Sequence, residues 1–140
     1  MKKSAIYYLL LFILISMSET SFAQDWANLA KYETQNNQLP PKQSGEKRIV
    51  LMGDSITEFW SQIQPDFFAN TSYINRGISG QTTPQMLIRF RHDVINLQPD
   101  VVVILAGVND IAGNTGPTTN DAIFGNIISM VELAKANAIK

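Results

Sequence analysis

Three small polar clusters each follow an apolar run in the 140-residue chain: Gly53-Asp54-Ser55-Ile56-Thr57, Asn75-Arg76-Gly77-Ile78-Ser79-Gly80 and Gly107-Val108-Asn109-Asp110. A serine hydroxyl is a poor nucleophile until a tight turn exposes it and a base takes its proton. Ser55, at the junction of an apolar run and an amphipathic stretch, is placed for that chemistry. Plainer roles compete at every position. Serine often caps a helix, Asp54 suits orienting the turn, and Asn109 and Asp110 suit side-chain-to-backbone turns.

Such clusters act together only if the elements between them bring them to one place. The run Arg48-Ile49-Val50-Leu51-Met52 ending at Gly53 reads as a strand buried on both faces. A helix over residues 56 to about 63 then presents Phe59, Trp60 and Ile63, and Pro65 stops or kinks it. Residues 72–75 read as a brief second strand running into Gly77 and Gly80, which permit left-handed turns. Thr82 or Thr83 caps a helix with Pro84 in its first turn, and Met86, Leu87, Phe90, Val94, Ile95 and Leu97 repeat at helical spacing up to Pro99. Residues 101–106 form the clearest strand, a polar loop spans 107–118, and a last helix covers about 119–137. Before the first strand, residues 25 to about 35 predict a short helix capped by Asp25, followed by a linker over 36–46 with Pro40, Pro41 and Gly45. The order β-α-β-α-β-α with apolar strands predicts an α/β fold: a parallel sheet with helices on both faces, a three-layer α/β/α sandwich. Its site belongs beyond the carboxyl ends of the strands, where strand order reverses.

With those elements placed, the chain resembles the SGNH/GDSL family of serine esterases and lipases, in its lysophospholipase-like and platelet-activating-factor acetylhydrolase-like branch. Gly53-Asp54-Ser55-Ile56-Thr57 looks like the block holding the nucleophile, Gly77 like the second-block glycine, and Gly107-Val108-Asn109-Asp110 like the third-block Gly-x-Asn-Asp. The resemblance implies a flavodoxin-like SGNH fold over residues 48–140 and an acyl-enzyme on Ser55. It also implies an oxyanion hole built from the Ser55 backbone N–H, the Gly77 backbone N–H and the Asn109 side-chain amide. Preset donors of this kind typically lower the barrier by about 3–4 kcal/mol each. Glycine suits the second position because no Cβ keeps a substrate away. Asparagine suits the third because its NH₂ donates without charge. The implied substrate is a small carboxylic ester, lipid or acetylated sugar, with no cofactor and no metal. The other reading is a non-catalytic flavodoxin-like module binding a carbohydrate or an anion, although Asp54 would repel phosphate.

The family's base comes from an Asp-x-x-His block near the C-terminus, and this chain has none. Its single histidine, His92, lies within the helix between the second and third strands, flanked by Arg91 and Asp93, where an outward charged face is expected. Two explanations compete: the chain is the N-terminal portion of a longer esterase, truncated after three strands, or a natural variant without the base. A last helix running to the final residues with no following strand favours the first, and little esterase activity is expected of these residues alone.

Composition narrows the classes further. No cysteine excludes thiolate metal ligands, Fe–S clusters and disulfides, and one histidine argues against a His-built zinc site. A net charge of −1 provides no basic field for nucleic acid. Lys2 and Lys3, an apolar run over 5–17 and Ser21-Phe22-Ala23 read as a signal peptide over 1–23 cut after Ala23. That run is shorter than the roughly 20 residues a membrane span needs, so a stable membrane anchor is not expected. The mature protein, with a helix-and-linker segment over 24–47 before the catalytic domain, is expected in the periplasm or medium. Oligomeric state is open.

Overall fold

The structure, a computed structural model, describes residues 25–140. The assigned leader over 1–23 lies outside the described residues. Three apolar runs form strands β1 (Ile49–Gly53), β2 (Tyr73–Gly77) and β3 (Val101–Leu105), all parallel, in the order β2-β1-β3. The order reverses after β2, so the switch point lies between β1 and β3. Gly53 is level with both Gly77 and Leu105. The three polar clusters therefore leave the sheet along one edge.

Parallel neighbours require crossovers, and helices supply them. The helices are α1 (Glu33–Gln38), α2 (Ser55–Ile63), α3 (Pro65–Ala69), α4 (Thr83–Asp93), α5 (Val108–Ile111) and α6 (Asn120–Ala136), of which α2, α3 and α4 lie in the two crossovers. Strand alternation sends Val50, Met52 and Ile74 to one face, where Met86, Phe90 and Val94 of the α4 region and Met130 and Ala134 of α6 cover them. Leu51 faces the other way, toward α2, which packs on β1 and β2. On that face Leu51, Ile56, Trp60, Ile63, Val103 and Leu105 line an apolar groove of about 520 Å³. On that face α2 packs on β1 and β2, and Val103 and Leu105 of the edge strand β3 are left 49% and 45% exposed.

The three-layer α/β architecture is the one the sequence predicts, with local differences. The N-terminal helix is a 3₁₀ turn (Leu29–Tyr32) leading into α1, which runs on into the expected linker. Asp25 still caps it, its carboxylate accepting from the Leu29 and Ala30 N–H groups at 2.8 and 2.9 Å. α2 ends at Ile63, as expected ahead of Pro65, and Pro65 then opens the separate short helix α3 at its first position, where its missing N–H is no loss. The expected polar loop after β3 contains the short helix α5. The last helix stops at Ala136, and the chain turns so that Lys140 donates to Asp100 O at 3.0 Å and accepts from Val102 N–H at 2.8 Å, lying beside β3.

Phe90 and Met86 are fully buried between sheet and helices. Truncating Phe90 to alanine should cost about 3–5 kcal/mol through lost transfer energy and a cavity. Urea denaturation should show this as a lower midpoint with an unchanged slope.

Candidate active site

Ser55 is the first residue of α2, directly after β1. Asp54 caps the helix, its Oδ1 accepting the Ile56 N–H at 3.0 Å, while its fully buried Oδ2 finds no donor among the described residues. That cap occupies the second N–H of the turn and leaves the Ser55 N–H with no acceptor among the described residues. The Ser55 hydroxyl, half-buried, likewise makes no hydrogen bond among them. Asp54 thus does the turn-orienting work the sequence suggests.

Gly77 and Gly80 have different jobs. Gly77 is not in a left-handed turn. It is the last residue of β2, and a Cβ there would run into the Glu58 nitrogen and Cα of α2, so glycine is needed for close strand–helix approach. Its N–H donates to Asn75 Oδ1 at 2.8 Å and is spent inside the scaffold. The expected role of Gly77 as an oxyanion donor therefore meets an occupied donor. Gly80, three residues on, has φ +78°, the left-handed region open to glycine, and its N–H has no acceptor among the described residues. The Asn114 amide donates to Gly80 O at 3.1 Å and to Asn109 Oδ1 at 3.1 Å, tying this turn to the loop after β3.

Asn109 sits in α5 at the end of β3. Its NH₂ donates one hydrogen to Gln81 O at 3.0 Å and keeps the second free. Its neighbour Asp110 is buried and does structural work. Both its oxygens accept the Thr83 N–H, at 3.0 and 2.9 Å, and Oδ1 accepts the Thr83 hydroxyl at 2.6 Å, which fixes the start of α4. Thr82 completes that start through a reciprocal capping box with Gln85.

Beneath these loops lies a buried ion pair. The Arg89 guanidinium, 0% exposed, donates to Asp93 Oδ2 at 2.9 Å, to Gly53 O at 3.1 Å and to Gln81 Oε1. It thereby joins the residue before Asp54-Ser55 to the residue after Gly80. Burial works against its charge and Asp93 works for it. The network reaches the N-terminal segment: Asp93 Oδ1 accepts from Asn36, Asn36 accepts from Arg76, and Arg76 stacks 4.6 Å over the Tyr32 ring. Gln81 also donates to Ala27 O at 2.7 Å, and the Tyr32 hydroxyl donates to Gly77 O.

His92 is exposed near the far end of α4, about 14 Å along the helix from Thr83 at 1.5 Å per residue. It cannot serve Ser55. Among the described residues no cluster of acidic or histidine side chains could hold a metal, and no helix is long and apolar enough to cross a membrane. Sequence reasoning singled out Gly80 only as a left-handed turn glycine, which its φ bears out, and missed Gln81 and Arg89. The legible signal was Arg89 and Asp93 standing four residues apart within the stripe of Met86 and Phe90.

The GDSL-like Lipase/Acylhydrolase family matches residues 51–140. A protein of Bacteroides fragilis NCTC 9343 assigned as an acylhydrolase is 61% identical, with a TM-score of 0.81, covering 84% of this chain and 56% of its own. A GDSL-like lipase of Bacteroides thetaiotaomicron VPI-5482 is 58% identical, with a TM-score of 0.79, covering 81% of this chain and 56% of its own. The acetyl xylan esterase AlAXEase is 25% identical with a TM-score of 0.57, over 66% of this chain and 55% of its own. The uncharacterized lipoprotein YqeF of Bacillus subtilis strain 168 is 34% identical over 74 residues, which is 51% of this chain and 30% of that protein. The chain thus spans little more than half the length of the solved structures it matches.

Replacing Arg89 by methionine leaves Asp93 buried without its cation and should cost about 3–5 kcal/mol, while Arg89→Met with Asp93→Leu should cost less than the single change. Chemical denaturation of the variants checks this. Burial pushes the Tyr32 hydroxyl from 10.0 up to about 12. The stability this supplies is fully present below pH 10 and is lost as pH rises through about 12. Subtracting the 295 nm titration of Tyr32→Phe from that of the unaltered chain should isolate one tyrosine ionising near 12.

Proposed function

The chain belongs to the GDSL-like lipase/acylhydrolase family, and on that premise we propose that its parent enzyme cleaves carboxylic esters through an acyl-enzyme on Ser55. The observation that carries this reading is the set of open donors at one sheet edge: the Ser55 N–H, the Gly80 N–H and the second Asn109 amide hydrogen. Gly80 takes the oxyanion role that the sequence suggests for Gly77, because the Gly77 N–H is committed to Asn75.

In this mechanism Ser55 Oγ attacks the ester carbonyl carbon as a base removes its proton, and the carbonyl oxygen becomes the oxyanion held by the three donors. Collapse breaks the bond to the alcohol, which leaves with that proton. Water then attacks the acyl-enzyme by the same route in reverse and frees the acid. The residues used need no metal or cofactor. The family's base is a histidine, and His92, the one histidine in the sequence, is remote from Ser55. We place the base in the portion of the parent that the solved relatives have and this chain does not span.

Short acyl or acetyl esters of lipids or sugars are the proposed substrates, with the likeness to an acetyl xylan esterase favouring sugar acetates. The leader-like residues 1–23 support a periplasmic or secreted enzyme. An anion-binding module is disfavoured, because the Asp54 carboxylate already holds the Ile56 N–H that a phosphate would use.

This chain should hydrolyse p-nitrophenyl acetate no faster than its Ser55→Ala variant. Added imidazole, a soluble base, should then open a Ser55-dependent rate. A clear Ser55-dependent rate without imidazole would overturn the missing-base account, and no dependence on Ser55 with imidazole would overturn the acyl-enzyme reading.

A further inference from the structure

We propose that Glu58 is a positioning residue for the oxyanion hole, holding the Ser79–Gly80 peptide so that the Gly80 N–H faces the space above Ser55. This rests on the acyl-transfer reading of Ser55 and Gly80 given above. Glu58 lies one helical turn after Ser55 on α2. Its Oε2 accepts the Ser79 N–H at 2.6 Å and the Ser79 hydroxyl at 2.5 Å, while Oε1 accepts from Lys31 Nζ at 2.8 Å. Charge-assisted bonds are roughly twice as strong as neutral ones. Here two of them converge on one residue, immediately before the left-handed glycine.

The peptide that carries the Gly80 N–H is flanked on both sides. Glu58 fixes Ser79, and Asn114 fixes the Gly80 carbonyl. Gln81, next in the chain, is held through its side chain by Arg89 and by Ala27 O. A surface carboxylate paired only with Lys31 would contribute little and have no reason to face the loop. Glu58 instead spends one oxygen on Lys31 and the other on the loop. The same helix thus presents the nucleophile at its first residue and, one turn later, the carboxylate that sets the second donor. Their relative position is fixed by helix geometry rather than by loop packing.

The test uses the 140-residue chain, p-nitrophenyl acetate and imidazole as the soluble base, with Ser55→Ala as background. Glu58→Ala should lower the Ser55-dependent kcat by about 10- to 100-fold, as expected for a displaced donor. Its KM should be unchanged, since the lost interaction is made in the transition state. Glu58→Gln keeps an amide oxygen that can accept from Ser79 and should retain most of the rate. Equal losses in both variants, a change in KM alone, or an undiminished kcat in Glu58→Ala would overturn the proposal. Amide hydrogen exchange provides a readout independent of activity: the Ser79 N–H should exchange at least about tenfold faster in Glu58→Ala, and Glu58→Gln should restore its protection. Unchanged Ser79 exchange overturns the proposal. If Ser55→Ala leaves the imidazole-dependent rate unaltered, the acyl-transfer reading fails, and exchange alone decides whether Glu58 holds the peptide.

Discussion

A guanidinium with no access to water has to be paired and hydrogen-bonded, and each of the three nitrogens of Arg89 finds an acceptor at the point where the site is assembled. Its partners are the carbonyl that ends β1, the side chain that follows Gly80, and the carboxylate of Asp93 on its own helix. None of these can move far without leaving a buried charge short of a partner. The first and second polar clusters are thereby held at a fixed separation, and the N-terminal segment is bound in through Asn36, Arg76 and Tyr32. Asp110 does the same for the third cluster by bonding the start of α4.

This arrangement separates scaffold from chemistry within each cluster. In Asp54-Ser55 the aspartate closes the turn and the serine stays open. In Asn109-Asp110 the aspartate is spent on Thr83, while the asparagine keeps one free hydrogen. Between Gly77 and Gly80, the first is consumed by close packing on α2 and the second offers its N–H. Each exposed donor stands beside a buried group that fixes it, which is how donors are held in place before charge develops.

Much of this was legible from residue types. β-branched runs such as 101–105 mark strands whatever follows them, and the period of Met86, Phe90 and Val94 marks a covered helix. Ser55 and Asn109 stand out because each lies in the polar cluster that follows a strand. The choice between Gly77 and Gly80 was not legible, since both are glycines in a turn-rich stretch. Only the steric clash at one and the positive φ at the other tell them apart. Arg89 and Glu58 were missed because charged side chains on helices are normally solvated, and their bonding partners are carbonyls and amides that tertiary packing brings to them. Helix α5 was missed because four residues show too little of a period to read.

In the proposed mechanism Ser55, Gly80 and Asn109 together form one oxyanion hole. The most direct measurement is a crystal structure of the chain treated with a p-nitrophenyl alkylphosphonate in the presence of imidazole. The expected structure has a phosphonyl group on Ser55 Oγ with one oxygen about 2.7–3.1 Å from the Ser55 nitrogen, the Gly80 nitrogen and Asn109 Nδ2. A phosphonyl oxygen turned to solvent or toward Gly77, with the Gly80 N–H unused, would contradict it.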